Sequence, residues 1–121
     1  MSRIALVAIT KHGTELAKKL KAAIPEAELL VSEKFSAAAP GATVMKETVS
    51  QSIARWFHTY EEICFVISLG AVVRMIAPHL KDKHTDPGVV AVDDRGQFAI
   101  SVLSGHVGGA NVFCERVATA L

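Results

Sequence analysis

Cysteine is scarce in this sequence, two residues in 121, and the pair forms no CxxC spacing. That excludes a disulfide-stapled scaffold and a cysteine-based zinc site; Cys64 and Cys114, set in apolar runs, read as small core residues in a reducing compartment. An excess of charge is also missing. Thirteen Lys and Arg stand against 12 Asp and Glu, a net charge of +1, so no global field draws the chain to nucleic acid or an anionic membrane, and any basic site must be local. No apolar run is long enough to cross a bilayer. The opening stretch from Ser2 to Thr10 is apolar but short and lacks the cleavage pattern of an export signal, which places the chain in the cytoplasm with neither membrane nor nucleic acid as partner. The dinucleotide fingerprint, the GxxxxGK phosphate cradle and HExxH are all absent, which argues against NAD, ATP and zinc.

What is present is globular: 50% hydrophobic and 21% charged residues, enough for one compact domain over residues 1–121. Ile4 to Ile9 reads as a buried strand entering the turn Thr10-Lys11-His12-Gly13-Thr14. Leu16, Ala17, Leu20 and Ile24 then recur at helical spacing until Pro25. Glu28 to Val31 is a weaker strand, and Ser36 to Ala42 reads as a surface loop. From Thr48, a candidate cap, Ile53, Trp56, Phe57 and Tyr60 form an aromatic stripe that suits a core better than base stacking. Ile63 to Leu69 is the most apolar strand and breaks at Gly70, before a short helix over Ala71 to Ala77 closed by Pro78. Val89 to Val92 and Phe98 to Val102 flank Asp93-Asp94-Arg95-Gly96 and should pair antiparallel. A last helix follows Gly108-Gly109, with Ala110, Phe113, Cys114, Val117, Ala118 and Leu121 on one face. The alternation predicts an α/β fold: a three-layer α/β/α sandwich around a mainly parallel five-stranded sheet with one antiparallel strand.

Ligands in such sheets collect beyond the carboxyl ends of the strands. Three loops qualify: Thr10 to Thr14, Gly70 to Arg74, and the run from Ser104 to Asn111. For the third to share a cleft with the others, Phe98 to Val102 must be the parallel strand and Val89 to Val92 the reversed one. His106, among glycines with few side chains to cover it, reads either as an exposed imidazole able to trade protons or as a turn histidine without a task. Arg74, among Val72, Val73, Met75 and Ile76, calls for a carboxylate, supplied by a ligand or by Asp86 or Asp93. The mixed-charge stretch Lys81 to Pro87, with Lys83 in it, reads alone as a solvated loop.

Gly70-Ala71-Val72-Val73-Arg74-Met75-Ile76-Ala77-Pro78, then Lys81-Asp82-Lys83, Asp86-Pro87, Val92-Asp93 and the final SGHVGGAN resemble the central block of CbiG proteins. The segment Ile4 to Gly13 is similar to the start of that family. The resemblance implies a cobalt-precorrin-5A hydrolase of anaerobic cobalamin biosynthesis, opening a δ-lactone on a polycarboxylate macrocycle and releasing acetaldehyde to give cobalt-precorrin-5B. It implies no cofactor, since cobalt arrives with the substrate, and no metal site in the protein. Placed on the matched positions by physical reasoning, His106 is the general base on water, oriented by Asp86 or Asp93, and Gly105, Gly108 and Gly109 shape a donor pocket for the oxyanion. Arg74 and Lys83 hold substrate carboxylates, Asn111 adds a neutral hydrogen bond, and Thr10, His12, Gly13, Gly70 and Ser104 line the cleft. His106 and Arg74 are expected to face one hollow. The usual family chain carries a further, CobE-like carboxy-terminal domain, a candidate partner. His79 and His84 depart from the family pattern. The alternative is a corrinoid-binding module without catalysis.

Overall fold

A computed structural model describes residues 3–121; Ser2, with which the expected apolar opening begins, lies outside them. Six strands and four helices follow in the order β1 (Ile4–Ala8), α1 (Lys11–Ala23), β2 (Glu28–Ser32), β3 (Thr43–Met45), α2 (Val49–Thr59), β4 (Glu62–Val66), α3 (Leu69–Ile76), β5 (Gly88–Val92), β6 (Ala99–Leu103) and α4 (Ala110–Ala120). They build one sheet in the order β3-β2-β1-β4-β5-β6, parallel throughout except for β5 against β6.

All five residues of β1 are buried, because helices cover both faces and leave no place for polar alternation. Its Ile4, Leu6 and Ala8 join one core with Ala17, Leu20 and Ile24 of α1 and Phe113 and Val117 of α4. Ala5 and Val7 point the other way, into a core with Ile53 and Trp56 of α2 and Val72 and Ile76 of α3. The aromatic stripe is therefore packing: Trp56 is buried, with its ring centroid 6.3 Å from that of Phe65.

The helix starts are fixed locally. Thr10 caps α1, its hydroxyl accepting from the Gly13 amide at 2.9 Å. Thr48 and Gln51 form a reciprocal capping box on α2, satisfying amides that the first turn leaves unpaired.

The three-layer architecture is as expected, with six strands rather than five. The additional strand, β3, has three residues on the sheet edge and no fully buried side chain, so it left no apolar run to read. The first three residues of the expected loop before it, Ser36 to Ala38, belong to 3-10 turns that span Glu33–Ala38.

The hairpin forms in the opposite sense from the one a shared cleft requires. β5 is the parallel strand and β6 the reversed one. The five residues of β5 are all buried, whereas those of β6 are only partly so; the more apolar strand takes the inner position, and the exposed one takes the edge.

Candidate functional site: a glycine loop at the amino edge of the sheet

Because β6 runs backwards, its carboxyl end reaches the amino edge of the parallel strands. The three candidate loops are thereby divided between two edges separated by the length of a five-residue strand, roughly 17 Å.

Thr10, His12, Gly13 and Gly70 lie at the carboxyl edge. Thr10 is committed to its cap, and Gly13 lets α1 sit close to β4: a Cβ there would lie 2.8 Å from Thr10 Oγ1 and 3.0 Å from the Val66 carbonyl oxygen. His12 is exposed, and Gly70 stands in open space in the first turn of α3. Asp93 is at this edge too. Its carboxylate accepts from the amides of Arg95, Gln97 and Phe98 at 2.7–3.2 Å and closes the hairpin, so it cannot orient His106, which lies at the other edge. A cleft of about 550 Å³, lined by Ile9, Ser32, Lys46, Thr48, Ser50 and Met75 among others, opens over the β1 to β3 side.

Asp86, Ser104, Gly105, His106, Gly108, Gly109 and Asn111 gather at the amino edge. Ser104 is buried, with φ 57°, a left-handed conformation that costs a side-chain-bearing residue free energy. Its hydroxyl donates to the Asp86 carbonyl at 3.2 Å. The Ser104 and Gly105 carbonyls accept from the Ala110 and Asn111 amides at 3.2 and 3.0 Å, folding residues 104–109 into a tight loop on the start of α4. Those two helix amides are spent inside the loop. Among the described residues, the amides of 105–109 make no backbone hydrogen bond.

Glycine is demanded here by close approach. A Cβ on Gly108 would lie 2.5 Å from Ser104 Cβ, and one on Gly105 2.7 Å from Asn111 Oδ1; Gly109 has φ 81°. His106 is exposed at the crest of the loop. Asp86 is buried, but its carboxylate accepts from the Lys81 amide at 2.9 Å and its own amide donates to the Asp82 carbonyl at 2.8 Å; it clasps the 81–87 segment and is not aimed at His106. Lys83 is exposed in that segment.

Among the described residues Arg74 has neither of the internal carboxylates weighed for it, Asp86 or Asp93, which leaves a carboxylate brought by a ligand. Arg74 is exposed on α3, opposite the core-facing Val72 and Ile76, with no carboxylate in ion-pair range among the described residues. The charge is carried on the solvent side of the helix, and neither Arg74 nor His106 lines the clefts described. The two groups share none of these clefts, and the loop of His106 lies at the sheet edge opposite the start of α3.

Glu62, which the sequence reading passed over, lies beneath the glycine loop. As the first residue of β4 it pairs in register with Gly88 of β5. Its Oε2 is buried with no hydrogen-bond partner among the described residues, filling the space where a Gly88 side chain would stand, and its Oε1 lies 2.7 Å from where a Gly109 Cβ would be. Burial pushes the carboxyl up to about 7, and the charge of Glu61 adds to the shift. The visible signal was a carboxylate directly before the most apolar strand. Its glycine partners come from residues 88 and 108–109, a neighbourhood only strand pairing creates.

Fold and site together define a doubly wound α/β domain carrying a glycine-closed loop on the reverse edge of its sheet. The sequence profile of the family described as Cobalamin synthesis G N-terminal matches residues 51–121, a segment holding Glu62 and the whole loop; the chain belongs to that family. It is 46% identical over 120 residues to a cobalt-precorrin-5A hydrolase of Priestia megaterium, covering 97% of this chain and 32% of the relative. It is 39% identical over 118 residues to a cobalt-precorrin-5A hydrolase of Salmonella typhimurium strain LT2, covering 98% and 33%. The fold matches the crystal structure of a cobalamin biosynthesis protein G homolog from Sulfolobus solfataricus, with a TM-score of 0.72 at 21% identity over 97% of this chain and 33% of that one. The chain thus spans about a third of the length of these relatives. Among the described residues no helix is long and apolar enough to cross a membrane, and no three His, Cys, Asp or Glu side chains group to hold a metal ion.

Proposed function

We propose that this chain provides the amino-terminal third of a cobalt-precorrin-5A hydrolase acting in the cytoplasm in anaerobic cobalamin biosynthesis. The reading is carried by the identity to hydrolases of that name across nearly all of this chain. In the reaction, water adds to the carbonyl of the substrate's δ-lactone and the acyl C–O bond breaks, giving a carboxylate and a hydroxyl on the two-carbon unit; that hydroxyl loses its proton as its oxygen becomes the aldehyde oxygen, the C–C bond to the macrocycle breaks with its electron pair passing to the ring, and acetaldehyde leaves to give cobalt-precorrin-5B. Cobalt enters with the macrocycle as part of the substrate.

His106 is the group we assign to take the proton from the attacking water. A neutral imidazole nitrogen can accept a proton from water, and the exposure of His106 in the loop lets a large substrate reach it. The amides of residues 105–109 make no backbone hydrogen bond among the described residues and suit a developing oxyanion. Lys83, exposed on the neighbouring segment, suits a peripheral carboxylate of the macrocycle.

The partner is the remainder of the polypeptide found in the longer relatives. Leu69 and Val73 lie four apart on α3, on the flank away from Ala71 and Met75, and they are 40% and 47% exposed; Ile100 of edge strand β6 is 40% exposed. That apolar flank is the surface we assign to this partner.

The test is to mix cobalt-precorrin-5A with the chain, alone and with the remaining two thirds of a relative supplied in trans, and to measure acetaldehyde. Release in either mixture, lost in His106→Ala with the fold intact, is the expected outcome. A corrinoid absorbance shift with no aldehyde in both mixtures would identify a binding module instead, and neither signal would overturn both readings.

A further inference from the structure

Glu62 is left without a task by the chemistry above. Its Oε2 is shut away from water with no partner among the described residues, yet the space it fills, over the Cα of Gly88, is shared with another acceptor: a Cβ on Gly88 would lie 2.9 Å from the Gly108 carbonyl oxygen. Two acceptors turned into one dry space repel each other unless one carries a proton, and of the two only the carboxyl can. Among the described residues no cation pairs with the carboxyl. The ionisable groups on the surrounding elements are Glu61 beside it, Arg3 ahead of β1, Asp86 ahead of β5 and His106 in the loop, and none forms an ion pair with it among the described residues. Glu61 worsens the repulsion, and the Asp86 carboxylate is turned to the Lys81 amide.

We propose that Glu62 is a positioning residue for the loop: as the neutral acid it donates a hydrogen bond to the Gly108 carbonyl and latches residues 104–109 over β4 and β5, and on ionising it releases them and the imidazole of His106. The assignment of work to that imidazole rests on the hydrolase reading; the latch itself does not. Burial of the carboxyl agrees with it, since the proton is then held to about pH 7.

NMR on the whole chain between pH 5 and 9 tests the latch without substrate. The side-chain carbon of Glu62 should titrate near neutrality, with the Gly88, Gly108 and Gly109 amides moving at the same midpoint. In Glu62→Gln, which keeps a donor and cannot ionise, those amides should stay in their low-pH positions throughout. A Glu62 carbon titrating near its ordinary value of 4.5, or glycine amides moving alike in both proteins, would overturn the proposal. The first criterion needs only the wild-type chain and so holds even where the variant does not fold. With turnover established, kcat should fall on the alkaline side in the wild type and much less in Glu62→Gln. A latch that titrates in a chain giving no acetaldehyde, even with the remainder supplied in trans, would leave the latch standing and remove the hydrolase reading.

Discussion

The contact between Glu62 and Gly88 links local chemistry to the stability of the domain. A methyl group on residue 88 would claim the space that Glu62 Oε2 occupies, so Gly88→Ala should cost about 1–3 kcal/mol; Glu62→Ala should return only part of that loss, because the new Cβ still lies 2.9 Å from the Gly108 carbonyl oxygen. A double-mutant cycle by chemical denaturation measures the coupling. The carboxyl also sets a pH dependence. Its folded pKa, about 7, lies above the ordinary 4.5, so between those values the folded state keeps a proton that the unfolded chain has lost. Stability therefore falls as pH rises through that window, and the cost is complete above it. Glu62→Gln should flatten the fall and, at pH 8, stabilise the domain by on the order of 1 kcal/mol after allowance for solvent screening of a partly buried group. Denaturation midpoints at pH 5 and pH 8 decide it.

Among the elements, each helix start shows how a residue that reads as a ligand contact can be consumed by local structure. Thr10 sits where a doubly wound sheet would present a polar group to a substrate, yet its hydroxyl is committed to the Gly13 amide. Thr10→Ala should cost about 1 kcal/mol, and Thr10→Ser should restore most of it, as thermal unfolding would show. Asp93 is consumed in the same way, by three amides of the hairpin turn. These elements were legible because apolar spacing and capping residues act over a few positions: β1, α1 and α4 are where the runs and spacings placed them, whereas the strand expected over Ile63 to Leu69 ends at Val66, and Leu69 and Gly70 already belong to α3. The edge strand β3 was not legible, since a three-residue strand gains its hydrogen bonds from β2 and carries no pattern of its own.

In the whole molecule, the apolar flank of α3 and β6 is the feature a further domain would change. Val73→Asp should leave the fold of this chain intact, because Val73 is 47% exposed, while weakening association with the remainder of a longer relative by about tenfold or more, as loss of a central apolar contact does; titration calorimetry would show it. The sequence by itself determined the α/β class, the two-sided core and the family, because apolar periodicity, turn glycines and the ordered run from Gly70 to Asn111 are written along the chain. Only the tertiary structure decided which hairpin strand lies inside the sheet. That choice turned on burial across strands far apart in sequence: β5 is apolar enough to be covered on both sides and β6 is not. With it went the location of the glycine loop, its separation from Thr10 and Gly70, and its seat on Glu62, since a contact between residue 62 and residues 88 and 109 exists only once β4 and β5 have paired.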